Sequence, residues 1–346
     1  MTALEGKNIL FLSVSFFSYE NAIAERLRQW GAHVDFFDER PSNTVLSKGI
    51  IRIYPEIYRF ITDTYYRRIL KTTSGSQYDF LLLIKGEAVP HFFLQEIRRK
   101  NPGIKMIYYT FDPIDEYPKT RNLLKFFDLC FTFERADAEK YKISFRPLFF
   151  LEEYRKKENV SATETREWDI CFIGSAHTDR YTVGEEIRRK ADRIGLRSFY
   201  FYYAPGKIAF YLRRFFDPNM QRFNLKKVSF HKLRHSEIID KYSKSVAVLD
   251  INKPFQDGLT MRTFETLAMG RKLMTTNPDI RNYPFYNPEN ILIISRDHID
   301  LRPDFFTSGF QKIPEKVLEK MTLDSWIECL FIRNQDEYWK SSSRIS

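Results

Sequence analysis

Short apolar runs alternating with helix-patterned segments constrain this chain more than any other feature. "KNILFLSV" is a continuous apolar run of the kind buried on both faces of a parallel sheet. "ENAIAERLRQWG" follows with helical spacing: Ala22, Leu27 and Trp30 suit a packed face, and Gly31 suits the C-cap. "AHVDFFD" is a second strand, and a strand–helix–strand opening predicts a parallel sheet. The alternation continues through "YDFLLLIKGE", "HFFLQEIRRKNPG", "IKMIYYTFD" and "RNLLKFFDLCFTF". It then stops at "EEYRKKENVSATETRE", residues 152–167, which is polar and lacks apolar periodicity, as a linker does.

A second series starts after it. "WDICFIGSAHTDRYTVGEEIRRKADRIG" reads as strand, loop, helix and glycine. "RSFYFYYAP", "HSEIIDKYSKS", "VAVLDIN", "MRTFETLAMG", "RKLMTTN" and "NILIISR" continue the alternation. With 346 residues, the chain is long enough for two domains of about 150 residues each. The expected fold class is α/β, with two Rossmann-like parallel-sheet domains facing a cleft. The expected boundaries are 1–151 and 168–312, with a long helical pattern at 313–340 and a disordered tail, "KSSSRIS". Ligands of such sheets sit beyond the carboxyl ends of the strands, and the cleft between two domains is the default site.

Several classes are disfavoured at once. Neither half carries G-x-G-x-x-G or G-x-x-x-x-G-K-[ST] after a strand, which weakens nicotinamide-linked and P-loop readings. No apolar run approaches the roughly 20 residues that span a bilayer. The N-terminal run has an acid before it and no small-residue cleavage site, so it reads as a strand and not a signal peptide. Cys130, Cys171 and Cys329 are far apart in apolar contexts, which predicts buried thiols, a reducing compartment and no zinc site. A hydrophobic content of 43% with 29% charged residues fits a soluble globular protein.

The net charge of +10 is local. Residues 197–244 hold eleven Lys/Arg against three acids, and residues 48–71 hold six against two. Both segments are interleaved with Phe and Tyr. In the first, Ile208, Tyr211, Leu212 and Phe215 fall on one helical stripe beside Arg213 and Arg214. In the second, Ile57, Ile61, Tyr65 and Ile69 do so, flanked by Arg59 and Arg67. Such stripes are most often core-packing faces with a solvated charged back. The excess of charge over packing need adds a second reading, an anionic membrane surface through residues 48–71 and 197–244. Single-stranded nucleic acid is the weakest of the three.

The chemistry-bearing stretch is "VAVLDINKPFQDGLTMRTFETLAMGRKLMTTN". Arg262 and Thr263 fall at a helix start, where outward N–H groups and a guanidinium favour a diphosphate. Glu265 lies one turn in, placed to accept ribose hydroxyls, or else to face solvent as an ordinary helix charge. Asp257 precedes it by eight residues. Gly174 and Ser175 end a buried strand where backbone could approach a phosphate, and His177 follows as a surface residue or cleft neighbour. In the first half, Glu87 and Asp112 stand at strand ends, with Glu20, Asp115 and Glu116 on nearby loops. Asp112, before a proline, is the leading candidate for the base that takes an acceptor proton, with Glu87 and Glu20 behind it. Lys85 could neutralise phosphate, but a snorkelling lysine is the simpler expectation.

Arg262-Thr263-Phe264-Glu265-Thr266-Leu267-Ala268-Met269-Gly270, followed by an apolar strand, resembles the nucleotide domain of GT-B glycosyltransferases. The nearest branch is the group-1-like one that includes the spore-maturation CgeB-like proteins. "CFIGSAHTDR" is similar to the opening strand and loop of that domain. "YDFLLLIKGE", "YYTFDPIDEY" and "FDLCFTFERADAEKY" resemble the acceptor half more weakly. The resemblance implies a nucleotide-sugar donor as substrate with no obligatory cofactor or metal. Donor contacts would fall to Gly174, Ser175, Asp257, Arg262, Thr263 and Glu265. It also implies a final helix that crosses back to the first domain. Many retaining relatives carry Glu-x7-Glu; here the first acid is Asp257, with a shorter side chain, so retention does not follow. The expected acceptor is a surface glycan or lipid-linked glycan of the lipopolysaccharide, capsule or exopolysaccharide type. The expected location is cytoplasmic, peripheral on the inner face of the cell membrane. The alternative class is a non-catalytic two-domain protein that binds anionic glycan or nucleic acid.

Overall fold

The computed structural model describes residues 3–42, 55–155 and 166–340. The expectations placed on residues 48–54, on 156–165 of the linker and on the tail 341–346 lie outside the described residues. The described chain forms two compact units, Met1–Pro147 with Leu323–Lys340, and Leu148–Thr322.

The first unit holds β1 (Asn8–Ser13), α1 (Tyr19–Gln29), β2 (His33–Asp38), α2 (Pro55–Thr72), β3 (Phe80–Ile84), α3 (His91–Lys100), β4 (Lys105–Thr110), β5 (Leu129–Thr132), α4 (Arg135–Tyr141) and β6 (Ser144–Phe145). Its six strands run parallel in the order β2-β1-β3-β4-β5-β6. The central strands are buried on both faces, which is why they read as unbroken apolar runs. Leu10, Leu12, Leu81, Leu83 and Tyr108 meet Phe93, Leu94 and Ile97 of α3 in one core cluster. On α2 the buried face is Thr62, Tyr66 and Ile69, while Ile61 is exposed and Tyr65 half-buried. The helix is therefore rotated by about one residue from the stripe read in the sequence. The Tyr66 hydroxyl fixes that rotation by donating to the Glu39 carbonyl at 2.8 Å.

The second unit holds β7 (Trp168–Ser175), α5 (Arg180–Arg193), β8 (Ser198–Tyr203), α6 (Lys207–Phe216), α7 (Pro218–Gln221), β9 (Val228–Ser229), α8 (His235–Ser243), β10 (Ser245–Asp250), α9 (Met261–Ala268), β11 (Lys272–Thr275), β12 (Ile291–Ile293), α10 (Pro303–Thr307) and α11 (Glu315–Lys320). Its strands are also parallel, in the order β12-β11-β10-β7-β8-β9. Counted from β7, that is the 3-2-1-4-5-6 order of the dinucleotide-binding fold. The order reverses between β7 and β10 here, and between β1 and β3 in the first unit. Sites are expected outside the carboxyl ends of those strands.

The C-terminal pattern read as one long helix is broken in the structure. α11 ends at Lys320, and Phe150 donates its N–H to the Met321 carbonyl at 3.0 Å, in a bridge that pairs Phe150 with Thr322. α12 (Leu323–Glu328), a π-helical turn (Cys329–Arg333) and α13 (Glu337–Lys340) follow and belong to the first unit. Trp326 is fully buried there, its ring centroid 4.9 Å from that of Tyr109. Asp324 pairs with Arg26, and Lys105 donates to the Asn334 side chain at 2.7 Å. No described helix is long and apolar enough to cross a membrane.

Candidate functional site

At the switch point of the second sheet, three arginines converge on consecutive residues, Asp250 to Asn252, at the end of β10. Arg262, from the first turn of α9, donates Nη1 to Asp250 at 2.7 Å and Nε to the Tyr242 hydroxyl at 3.1 Å, and a third bond goes to the Ile173 carbonyl. Arg180, at the start of α5, donates to the Ile251 carbonyl at 2.8 Å and lies 3.0 Å from His177 Nε2. Arg296, just past β12, donates to the Asn252 carbonyl at 2.6 Å and to Asp179 at 2.7 Å. Burial, then repulsion from Arg262, brings Arg180 down to about 10. Burial works against Arg262 too, but Tyr242 and Asp250 outweigh it and hold it above the ordinary arginine value. The cluster sets three cations against Asp250 and Asp179, with the Glu265 charge also acting on Arg262.

Asp250 organises this end of the sheet. It is buried and also accepts from Thr260 Oγ1 at 2.7 Å and Thr263 Oγ1 at 3.3 Å. Thr263 is thus fully buried, with its hydroxyl turned to Asp250. Glu265 is no solvent-facing charge. It is 4% exposed, on a helix that packs against the Glu152–Tyr154 turn. Burial, followed by the Glu265 charge, pushes the Tyr154 phenol up. Asp257 is exposed, in the loop between β10 and α9, and its carbonyl accepts from Asn277 at 2.7 Å. Gly174 is required by its neighbour: a Cβ there would lie 2.7 Å from Cζ of Phe172. Ser175 ends β7 half-buried.

In the first unit, the corresponding strand ends gather five ionisable side chains. Lys85 Nζ lies 2.8 Å from Asp112 and 3.3 Å from Glu87. Glu87 also binds Arg40, whose Nε donates at 3.0 Å. Lys85 does not snorkel; it is 12% exposed, ion-paired, and stands 4.9 Å from the centroid of the Tyr117 ring. Burial lowers its basicity, but Asp112 and Glu87 reverse the effect and leave it above the ordinary lysine value. Glu39 completes the group from the end of β2. Its carboxylate accepts the Gly86 N–H at 2.8 Å and the Glu87 N–H at 3.0 Å. Burial, reinforced by Glu87, pushes Glu39 up to about 8.

The turn that Glu39 holds is itself unusual. Lys85 and Gly86 have φ of 82° and 80°, and a Cβ on Gly86 would lie 2.7 Å from Leu123 Cδ1. Side-chain-bearing residues rarely adopt positive φ, and such positions concentrate at functional sites. Phe17 and Ser18 after β1 and Thr178 after β7 share the feature. All five lie in loops that leave strands at or beside a switch point.

Glu20 has a local task. Its carboxylate accepts the Phe16 N–H at 2.9 Å and the Ser15 hydroxyl at 3.3 Å, which ties down the loop between β1 and α1. Asp115 is engaged at the surface by Arg121, Lys140 and Tyr141. Cys130 and Cys171 are pushed up to about 12 and Cys329 to about 11 by burial, so all three are protonated thiols. Among the described residues no group of three His, Cys, Asp or Glu is arranged to hold a metal ion.

Arg40, Glu39, Arg180, Asp250 and Arg296 were not singled out from the sequence. Their one local signal is a charged residue directly after an apolar strand or at a helix start. That signal becomes informative only once the sheet order is known.

No protein-family model matches the chain. No curated protein matches it either. Solved structures do. Sucrose-phosphate synthase from Thermosynechococcus elongatus is 11% identical with a TM-score of 0.63, over 92% of this chain and 96% of that one. The UDP-forming α,α-trehalose-phosphate synthase from Burkholderia xenovorans, in complex with glucose-6-phosphate, is 10% identical with a TM-score of 0.61, over 95% and 99%. The catalytic domain of starch synthase IV from Arabidopsis thaliana, bound to ADP and acarbose, is 9% identical with a TM-score of 0.56, over 98% and 100%. The shared architecture is the GT-B fold. At these identities the likeness extends to the fold alone, and the reaction has to come from the residues.

Proposed function

We propose that the chain is a glycosyltransferase that moves a sugar from a nucleotide-sugar to a glycan acceptor. The observation that carries this reading is the convergence of Arg180, Arg262 and Arg296 at the switch point of a sheet in dinucleotide-binding order. Three guanidinium groups fixed in a largely buried cluster are what a leaving diphosphate needs, because fixed charges in a dry site stabilise developing negative charge without reorganising. Glu265 takes the ribose and Asp257 lies toward the donor sugar, as the resemblance to the group-1-like and CgeB-like branch implies. Gly174 and Ser175 complete the donor set, and Thr263 serves it from behind by holding Asp250. The cations do the electrostatic work, so the scheme assigns no step to a metal.

The acceptor binds the first unit at the strand ends that carry Lys85, Glu87 and Asp112. Asp112 is the preferred base over Glu87 and Glu20. Its side chain is 18% exposed, whereas that of Glu87 is 5% exposed and held by Arg40. As the bond from the anomeric carbon to the diphosphate breaks, the acceptor oxygen bonds to that carbon and its proton passes to Asp112. The acceptor is a growing surface glycan of the lipopolysaccharide, capsule or exopolysaccharide type. It is lipid-linked and met at the cytoplasmic face of the cell membrane. The excess charge of the basic-aromatic residues 197–244 supports that placement.

Incubating the protein with labelled UDP-, GDP-, CMP- and dTDP-sugars and a lipid-linked glycan extract tests this reading. At least one donor supports transfer, and Asp112→Asn lowers turnover by about a hundredfold or more. A non-catalytic binder instead transfers nothing. It holds polyanions with steep salt dependence, and it keeps that binding in both Asp112→Asn and Glu265→Ala.

A further inference from the structure

α6 does not bury the stripe that its sequence presents. Ile208, Tyr211, Leu212, Phe215 and Phe216 are 78%, 50%, 60%, 77% and 79% exposed. They recur at the helical spacing of a single face. Only Phe210 is buried, its ring set edge-on against Phe223 and Phe230. Arg214 locks the helix to the following turn by donating to the Phe223 carbonyl at 2.6 Å. A crossover helix beside an edge strand ordinarily turns its apolar face inward; this one is pinned by one aromatic with its apolar face outward. Isolated exposed apolar residues need no explanation, but a contiguous stripe of five does.

Charge decides what covers it. Residues 205–234 carry eight Lys/Arg and one acid, Asp217. Asp217 is occupied in accepting the Asn219 N–H at 2.9 Å. Arg213 and Arg222 have no ion-pair partner among the described residues. A second copy docked on the same face would set this positive surface against itself. Tyr211, Phe215 and Phe216 offer π-faces, but Ile208 and Leu212 break the row, which suits an acyl boundary better than stacked bases. An apolar stripe flanked by cations matches an anionic lipid surface, where the side chains enter the acyl boundary and the basic groups meet headgroups.

Among its described side chains α2 exposes two large apolar residues, Phe60 and Ile61, and not a stripe of five. Its Tyr66 and Ile69 are in the core, Arg59 faces Asp63, and Arg67 stacks on Phe92.

We infer that α6 lies flat in the headgroup region of an anionic membrane and is the element that attaches this protein to it. This deepens the membrane part of the proposed function and needs nothing from the donor site.

The full chain is floated with vesicles of phosphatidylcholine alone or mixed with phosphatidylglycerol, at moderate salt. The wild type is expected to float only with the anionic vesicles. Leu212→Ser with Phe215→Ser lowers binding by about tenfold or more, since each side chain forgoes its transfer out of water. Arg213→Ala lowers it by about fivefold. Phe60→Ser on α2 leaves it unchanged. An unaltered thermal melt shows that the double variant is folded. Three results overturn the inference: no flotation of the wild type, equal flotation of the double variant, or a lipid-free dimer that the double variant dissolves. Flotation without sugar transfer removes the transferase reading and leaves this one standing; transfer without flotation does the reverse.

Discussion

At the residue scale, the first unit's charge group balances only because one member is neutral. Arg40 and Lys85 face Glu87 and Asp112, and Glu39, pushed up to about 8, carries a proton at neutral pH. In the unfolded chain Glu39 titrates near its ordinary value of 4.5. Between those values the folded state binds the extra proton, so this contribution is fully present below 4.5 and is lost as pH rises through 8. Its size is on the order of a few kcal/mol. Glu39→Gln cannot ionise, so its urea midpoint should fall much less than that of the wild type between mildly acid and mildly alkaline pH. Parallel pH curves for the two proteins would contradict the assignment. Asp112 and Glu87 were legible in the sequence as strand-end acids, and Lys85 does bring them together. Glu39 and Arg40 were not, because their partner Glu87 lies 48 and 47 residues away. Only the parallel pairing of β1 with β2 and β3 makes those positions neighbours.

At the element scale, strands of the central sheets were readable because a strand buried on both faces is apolar at every position. Helices were readable as helices but not for what they face. The stripes on α2 and α6 look alike in sequence; the structure buries a face about one residue round from the first and turns the second outward. The closing segment shows the same limit. Its helical spacing is continuous, yet pairing of Phe150 with Thr322 interrupts it, a contact between residues far apart in sequence. α12 then serves the first unit through Trp326, which is fully buried on Tyr109. Trp326→Ala should cost about 3–5 kcal/mol. Chemical denaturation followed by tyrosine fluorescence would register it as a lower midpoint, and an unchanged midpoint would show that the C-terminal segment is dispensable to that unit.

At the scale of the whole molecule, two parallel sheets in two units followed from the alternation of runs, and the GT-B fold of the solved relatives has the same plan. The site was less legible. Arg262 stood out by its motif, whereas Arg180 and Arg296 gain meaning only from the β7–β10 reversal that brings their loops together. The same reversal explains why a buried Asp250 is kept: it orients Arg262 and the start of α9. The proposed donor site has one central requirement, that the second unit binds a nucleotide. Calorimetric titration of UDP, GDP, CMP and dTDP into the wild type, Glu265→Ala and Arg296→Ala tests it most directly. At least one nucleotide should bind with a Kd below about 1 mM. Either substitution should weaken it by about tenfold, the loss of one charge-assisted hydrogen bond. If no nucleotide binds below that level, or if both variants bind as the wild type does, the second unit is not a donor site.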